Sequence, residues 1–178
     1  MMNVIYVISK YITVVGSVLK GFWEHLFCRM LGVPVQDARY LQANELCGHV
    51  EHDFTKTKPV TFFLCYLPGM MNRLFSYGMT IGSFAGLFYL KATSENPIFW
   101  VYIVMLYLGV SLLTNNAPLY EDALNNWDLL YGKDSKTNIA AKIFAFIPSV
   151  WFIASAWLEK YAVGLLVFVI AIILGIVF

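Results

Sequence analysis

The chain has 178 residues, of which 60% are hydrophobic and 13% charged, with a net charge of +1. A soluble domain averages about 45–50% apolar and about 25% charged residues, so this chain has too little charge to cover a water-facing surface. Near-neutral charge, with no run of Lys and Arg interleaved with aromatics, excludes a nucleic-acid partner. The composition predicts an all-α polytopic membrane protein with about five transmembrane helices (four to six), forming one membrane domain over residues 1–178.

A helix needs about 20 apolar residues to cross a hydrocarbon core of roughly 30 Å. The first predicted span covers residues 2–19, interrupted by Lys10. It lacks a basic region before it and a small-residue cleavage site after it, so it reads as a retained anchor. Helix continues through Trp23 and Phe27 to Leu31, where Gly32 and Pro34 stop it. Residues 33–58 form the main polar segment, and alternation over 33–54 predicts a short β-hairpin.

Residues 59–90 are apolar and measure about 48 Å as one helix, too long for a straight span. Pro68-Gly69 and Asn72-Arg73 near the middle predict a broken span. Further spans are predicted at 97–114, 139–158 and 161–178, with Trp100, Trp151, Trp157 and Tyr161 near their ends. The second polar segment, 115–138, carries a surface amphipathic helix at 118–131, begun by Pro118 and stopped by Gly132. Arg29, Arg39, Lys56, Lys58, Lys133 and Lys136 fall on the side of the two polar segments. The positive-inside rule then places the N-terminus outside and the C-terminus inside a cytoplasmic membrane.

Cys28, Cys47 and Cys65 are widely spaced, which argues against a disulfide framework. His49 and His52 lie in the first polar segment beside Cys47, Glu51 and Asp53. Imidazole, thiolate and carboxylate suit zinc, although a solvated loop accounts for the same residues. Asp122 sits in the first turn of the amphipathic helix, where the helix dipole favours a carboxylate; a metal-ligand role is the sharper alternative. Glu24, His25, Cys28 and Arg29 share faces at the end of the first long helix. Gly78, Gly82 and Gly86 are four apart and form a groove for close helix approach, within the chain or to a second membrane protein or copy. Arg73 is an intramembrane charge that must snorkel, face protein or find an anion.

Three stretches together resemble a family. Leu26–Val35 resembles the segment after the zinc-binding helix of small site-2-protease-like membrane metalloproteases. Gly48–His52 resembles a glycine-started strand of that family. Tyr107–Ser111 through Pro118, Asp122 and Ala123 resembles the later helix whose Asp supplies the third ligand. The resemblance covers roughly Lys20 to Tyr131. Its H-E-x-x-H motif is missing: the aligned positions read Lys20-Gly21-Phe22-Trp23-Glu24. The resemblance thus implies that only Asp122 maps onto a ligand, that no residue is catalytic and no cofactor is expected, and that the chain is a protease-like pseudoenzyme acting as scaffold or accessory subunit of a membrane complex.

Two other readings stay open from the residues. One is a metal-dependent hydrolase with a rebuilt zinc site using His49, His52 and Asp122, with Glu24 or Glu51 as base. The other is a small transporter or channel subunit using Arg73, Lys10 and the broken span.

Overall fold

The computed structural model describes residues 4–40, 48–53, 57–93, 99–133, 135–166 and 169–170. The elements in chain order are α1 (Val4–Ile12), α2 (Val14–Met30), β1 (Val35–Arg39), β2 (His49–His52), α3 (Lys58–Thr93), α4 (Phe99–Thr114), α5 (Tyr120–Tyr131) and α6 (Ile139–Lys160). Among the described residues the fold is predominantly helical with one antiparallel two-stranded sheet. Arg39 pairs with His49 and Val35 with His52, and a register shift lies between Val35 and Asp37.

The predicted hairpin is the β1–β2 pair, and the predicted amphipathic helix is α5. Gly32, at φ +70°, lets the chain leave α2: the Val33 N–H donates back to the Cys28 carbonyl (2.8 Å). Asn138 caps α6 by accepting from the Ala140 N–H.

The five predicted spans are corrected by the structure. Among the described residues, only α6 is by itself long and apolar enough to cross a bilayer. The α1–α2 pair passes the same test jointly, but it bends by 94° at Thr13. The first span is therefore two helices, because Lys10 and its neighbours turn aside to reach polar partners. With 16 residues, α4 is short of the length needed. α3 is long enough, but Thr61, Asn72, Arg73, Ser76, Thr80 and Ser83 dilute its apolar character. Most of the span predicted at 161–178 lies outside the described residues, as does Cys47.

α3 runs as one helix through Pro68 rather than as the broken span expected at 59–90. Pro68 is fully buried, and a Cβ at Gly69 would overlap the Asn116 carbonyl. The Pro-Gly pair thus lets the 115–119 segment press against α3, where Asn72 Nδ2 donates to the Asn115 carbonyl (2.5 Å). On the other side of that segment, Gly16 of α2 meets the Ser111 carbonyl as closely, and its N–H, freed by the bend at Thr13, donates to Ser111 Oγ (2.8 Å).

The interior inverts the usual arrangement. Among the described residues, more of the buried side chains are polar or charged than apolar, including Lys10, Lys20, Glu24, His49, Asn72, Asn115 and Asp122. The outside carries large apolar groups: Phe144 is 84% exposed, Ile147 78%, Phe88 77% and Trp100 73%. Among the described residues, buried apolar side chains gather in two small clusters, around Cys28, Val33 and Leu64, and around Cys65, Ala123 and Phe152.

Candidate functional site

The inner face of α2 is built from Gly16, Ser17, Lys20, Gly21, Glu24 and Cys28, recurring at helical spacing. Such a stripe normally carries apolar residues; here it carries two charges one turn apart. The hairpin closes over it. Gly48 has φ +78°, and a Cβ there would lie 2.8 Å from Ser17 Cβ, so glycine allows β2 to lie directly on α2.

β2 then delivers its groups to the helix. The Val50 N–H donates to Glu24 Oε2 (3.0 Å), and His49 Nδ1 is 3.4 Å from the same oxygen. Lys20 Nζ lies 3.2 Å from both ring nitrogens of His49 and donates to the Ala117 carbonyl. The Ala117 N–H in turn donates to Glu159 Oε2 (2.8 Å), at the end of α6. The other Glu159 oxygen pairs with Lys10, which also donates to Asn115 Oδ1 (2.7 Å). At the opposite end, His52 Nε2 is 3.4 Å from Asp122 Oδ2 of α5. Contacts therefore link Glu24, His49 and Lys20 to Glu159 and Lys10, and the His52–Asp122 pair joins this buried ionic cluster through the charge of Glu24.

The middle of this cluster is sealed. The side chains of Lys10, His49 and Glu24 are 1%, 2% and 3% exposed, and Lys20 is fully enclosed. Its two ends are slightly more open, at 9% for Asp122 and 10% for Glu159. A groove of about 500 Å³ lies between α5 and α6 and is lined by Tyr120, Trp127, Val150, Ile153, Ala154, Trp157 and Leu158. No charged member of the cluster opens into it.

His49, His52 and Asp122, the residues singled out as metal ligands, are all in the cluster but do not share a point. His52 faces Asp122, whereas His49 faces Glu24 and Lys20. Among the described residues, no three His, Cys, Asp or Glu side chains are grouped so that they could hold one metal ion. The Lys20 ammonium against His49 would also oppose a second cation. This arrangement does not fit zinc. Glu51, the alternative base, is exposed.

Arg73 donates from Nε (3.2 Å) and one terminal nitrogen (3.1 Å) to Asn116 Oδ1, and its guanidinium stands 5.9 Å from the Trp151 ring centroid. Of the groove glycines, Gly86 is pressed by Tyr102 of α4, Gly82 lies beside Met105, and Gly78 faces open space. The described part of the groove is thus filled from within at one end only.

No protein-family model, curated protein or solved structure matches this chain. The cluster members missed in the sequence are Glu159 and Asn115; Lys10 stood out there only as a charge inside the first apolar run, and Lys20 only as a mismatch to a motif. The usable signal was charge inside apolar runs: Lys10, Lys20, Glu24 and Glu159 each need a buried partner, and the chain has few candidates.

The two histidines of β2 titrate in opposite directions. Burial, reinforced by the Lys20 charge, holds His49 below the usual imidazole value, against the pull of Glu24. Burial also opposes charge on His52, but the hydrogen bond and charge of Asp122 outweigh it and push His52 up to about 9. Between roughly pH 6.5, the unfolded value, and about 9, the folded chain holds a proton on His52 that the unfolded chain has lost. His52 therefore stabilises the fold fully below about pH 6.5, and that contribution is lost as pH rises through 9. His49 works the other way: below about 6.5 the unfolded chain takes up a proton that the buried ring resists, so stability falls. Stability should peak near neutrality. His52→Ala is expected to flatten the alkaline limb, worth about 2 kcal/mol once solvent screening is allowed for. A thermal-midpoint series from pH 5 to 10 reads this directly; an alkaline limb unchanged in His52→Ala rules it out.

Proposed function

We propose that this chain is a membrane-embedded, non-catalytic scaffold or accessory subunit, with a metalloprotease-like frame in which an internal ion-pair set stands where a catalytic metal would be. The observation that carries this reading is Lys20. Its ammonium is fully enclosed, donates to the Ala117 carbonyl and lies against His49, which contacts Glu24.

Formal charges in the cluster balance: Lys10, Lys20 and protonated His52 stand against Glu24, Asp122 and Glu159. A site that neutralises itself and excludes water has no free base, nucleophile or open ligand position to offer a substrate. Lys20, Glu24 and Asp122, which align with the metal-bearing positions of the site-2-protease-like family, belong to this one cluster, which supports the likeness to that family. The apolar exterior and polar interior support lipid as the solvent. The Lys and Arg of the two polar segments favour the cytoplasmic side for them.

The partner surface under this reading includes the open face at Gly78. The test is affinity purification of the full chain in mild detergent, with elemental analysis and a membrane-peptide cleavage assay on the same sample. A membrane protein recovered in fixed ratio, and reduced by Gly78→Leu, is the expected result. A lone chain carrying about one zinc, or cleaving peptide, would overturn the scaffold reading.

A further inference from the structure

α1 rests against α2 and α6. It leaves α2 at a 94° bend, and its junction residue Thr13 has φ −107° and ψ 40°, outside the helical range. Its outer face is apolar and open: Val4 and Ile5 are each 60% exposed, Ile8 and Ile12 each 52%. Its inner face buries only Tyr6 and Val7 as large apolar groups, beside Ser9 and Lys10. What ties it down is polar. Lys10 reaches Glu159 of α6 and Asn115 Oδ1, and the Lys10 carbonyl lies 3.5 Å from Ser17 Oγ.

The same Glu159 carboxylate accepts from the Ala117 N–H, and the Ala117 carbonyl accepts from Lys20. The tie on α1 and the closure of the Lys20 centre thus meet at one carboxylate and one residue, Ala117. Glu159 is also the member of this end of the cluster with the greatest exposure, 10% against 1% for Lys10.

We propose that α1 is a gate, hinged at Thr13 and latched by the Lys10–Glu159 pair, that controls entry of water and small polar solutes to the buried Lys20–Glu24–His49 centre. The gate does not depend on whether that centre is catalytic. Breaking a buried pair by removing one partner leaves an uncompensated charge, which a hinged element can relieve by moving away. Replacing both partners with apolar groups removes the charge and allows reclosure.

The test uses Ser17→Cys as a reporter, because Ser17 is fully buried between the end of α1 and Gly48 of β2, and its hydroxyl lies against Asn115 Oδ1 (2.9 Å) and the Lys10 carbonyl. The full chain in detergent is treated with a water-soluble maleimide, and labelling at each cysteine is read by peptide mass spectrometry. Cys28 and Cys65, 0% and 2% exposed, report any general unfolding in the same sample. The introduced thiol should react slowly alone. With Glu159→Gln added, its labelling should rise about tenfold or more while Cys28 and Cys65 stay protected. With Lys10→Met and Glu159→Met together it should return to the slow rate. Continued protection in the Glu159→Gln background would overturn the gate. Labelling of the introduced thiol together with Cys28 and Cys65 would also overturn it, since Glu159 would then be a general stability residue.

Discussion

Replacing Lys20 with Met should lower the stability of the folded chain by about 3–5 kcal/mol, the usual cost of stripping one partner from a buried ionic group. For a chain of this size that is about 10 °C in the thermal midpoint. Met matches the length of the lysine stem, so packing changes little and the loss is electrostatic. Glu24 and His49 would lose the ammonium between α2 and the 115–119 segment, and the Ala117 carbonyl would lose its donor. Adding Glu24→Gln should recover part of the loss, because the carboxylate left without its countercharge is then neutral. The measurement is a double-mutant cycle on detergent-solubilised protein followed by tryptophan fluorescence. A single-variant shift under about 2 °C would mean that the Lys20 charge has no structural role.

Asn115→Ala should be nearly as damaging, at about 3–4 kcal/mol, for a different reason. The Asn115 amide donates to the Thr13 carbonyl and hydroxyl (3.2 and 2.7 Å) and to the Ser111 carbonyl (2.8 Å), while its oxygen accepts from Lys10 and Ser17. It therefore fixes the bend between α1 and α2 to the end of α4. Removing it strands several buried donors and acceptors at once, each costing about 1–3 kcal/mol if nothing replaces its partner. Asn116→Ala is the matched comparison. That side chain is half-buried, bonding Arg73 and the Leu113 carbonyl, and its loss should cost about 1 kcal/mol. Equal effects at the two positions would contradict the role assigned to Asn115.

The contrast between these neighbours shows how the candidate site was hidden. Asn115 and Asn116 look alike in the sequence, at the end of an apolar run, and nothing local marks the first as the junction of three helices. His49, His52 and Asp122 were visible because imidazole and carboxylate near one another in a polar segment invite a chemical reading. Their partners were not, because Lys10 meets Glu159 across nearly the whole chain. Lys20 read as a defect in a motif, whereas in the fold its ammonium links His49 of the hairpin to the Ala117 carbonyl.

The sequence by itself determined the helical class, the hairpin after Pro34, the stop at Gly32 and the short helix expected at 118–131, which forms over Tyr120–Tyr131. Each follows from local stereochemistry or from hydrophobic period, which a few neighbouring residues set. It also determined that the exterior is apolar, since 60% hydrophobic residues cannot all be buried in a chain this small. Only the tertiary structure decided that the first apolar run folds back at Thr13 and that α3 passes unbroken through Pro68. It alone decided, too, that seven ionisable side chains from α1, α2, β2, α5 and α6 share one interior. A buried charge is stabilised by whichever group reaches it in space, and sequence distance carries no information about that.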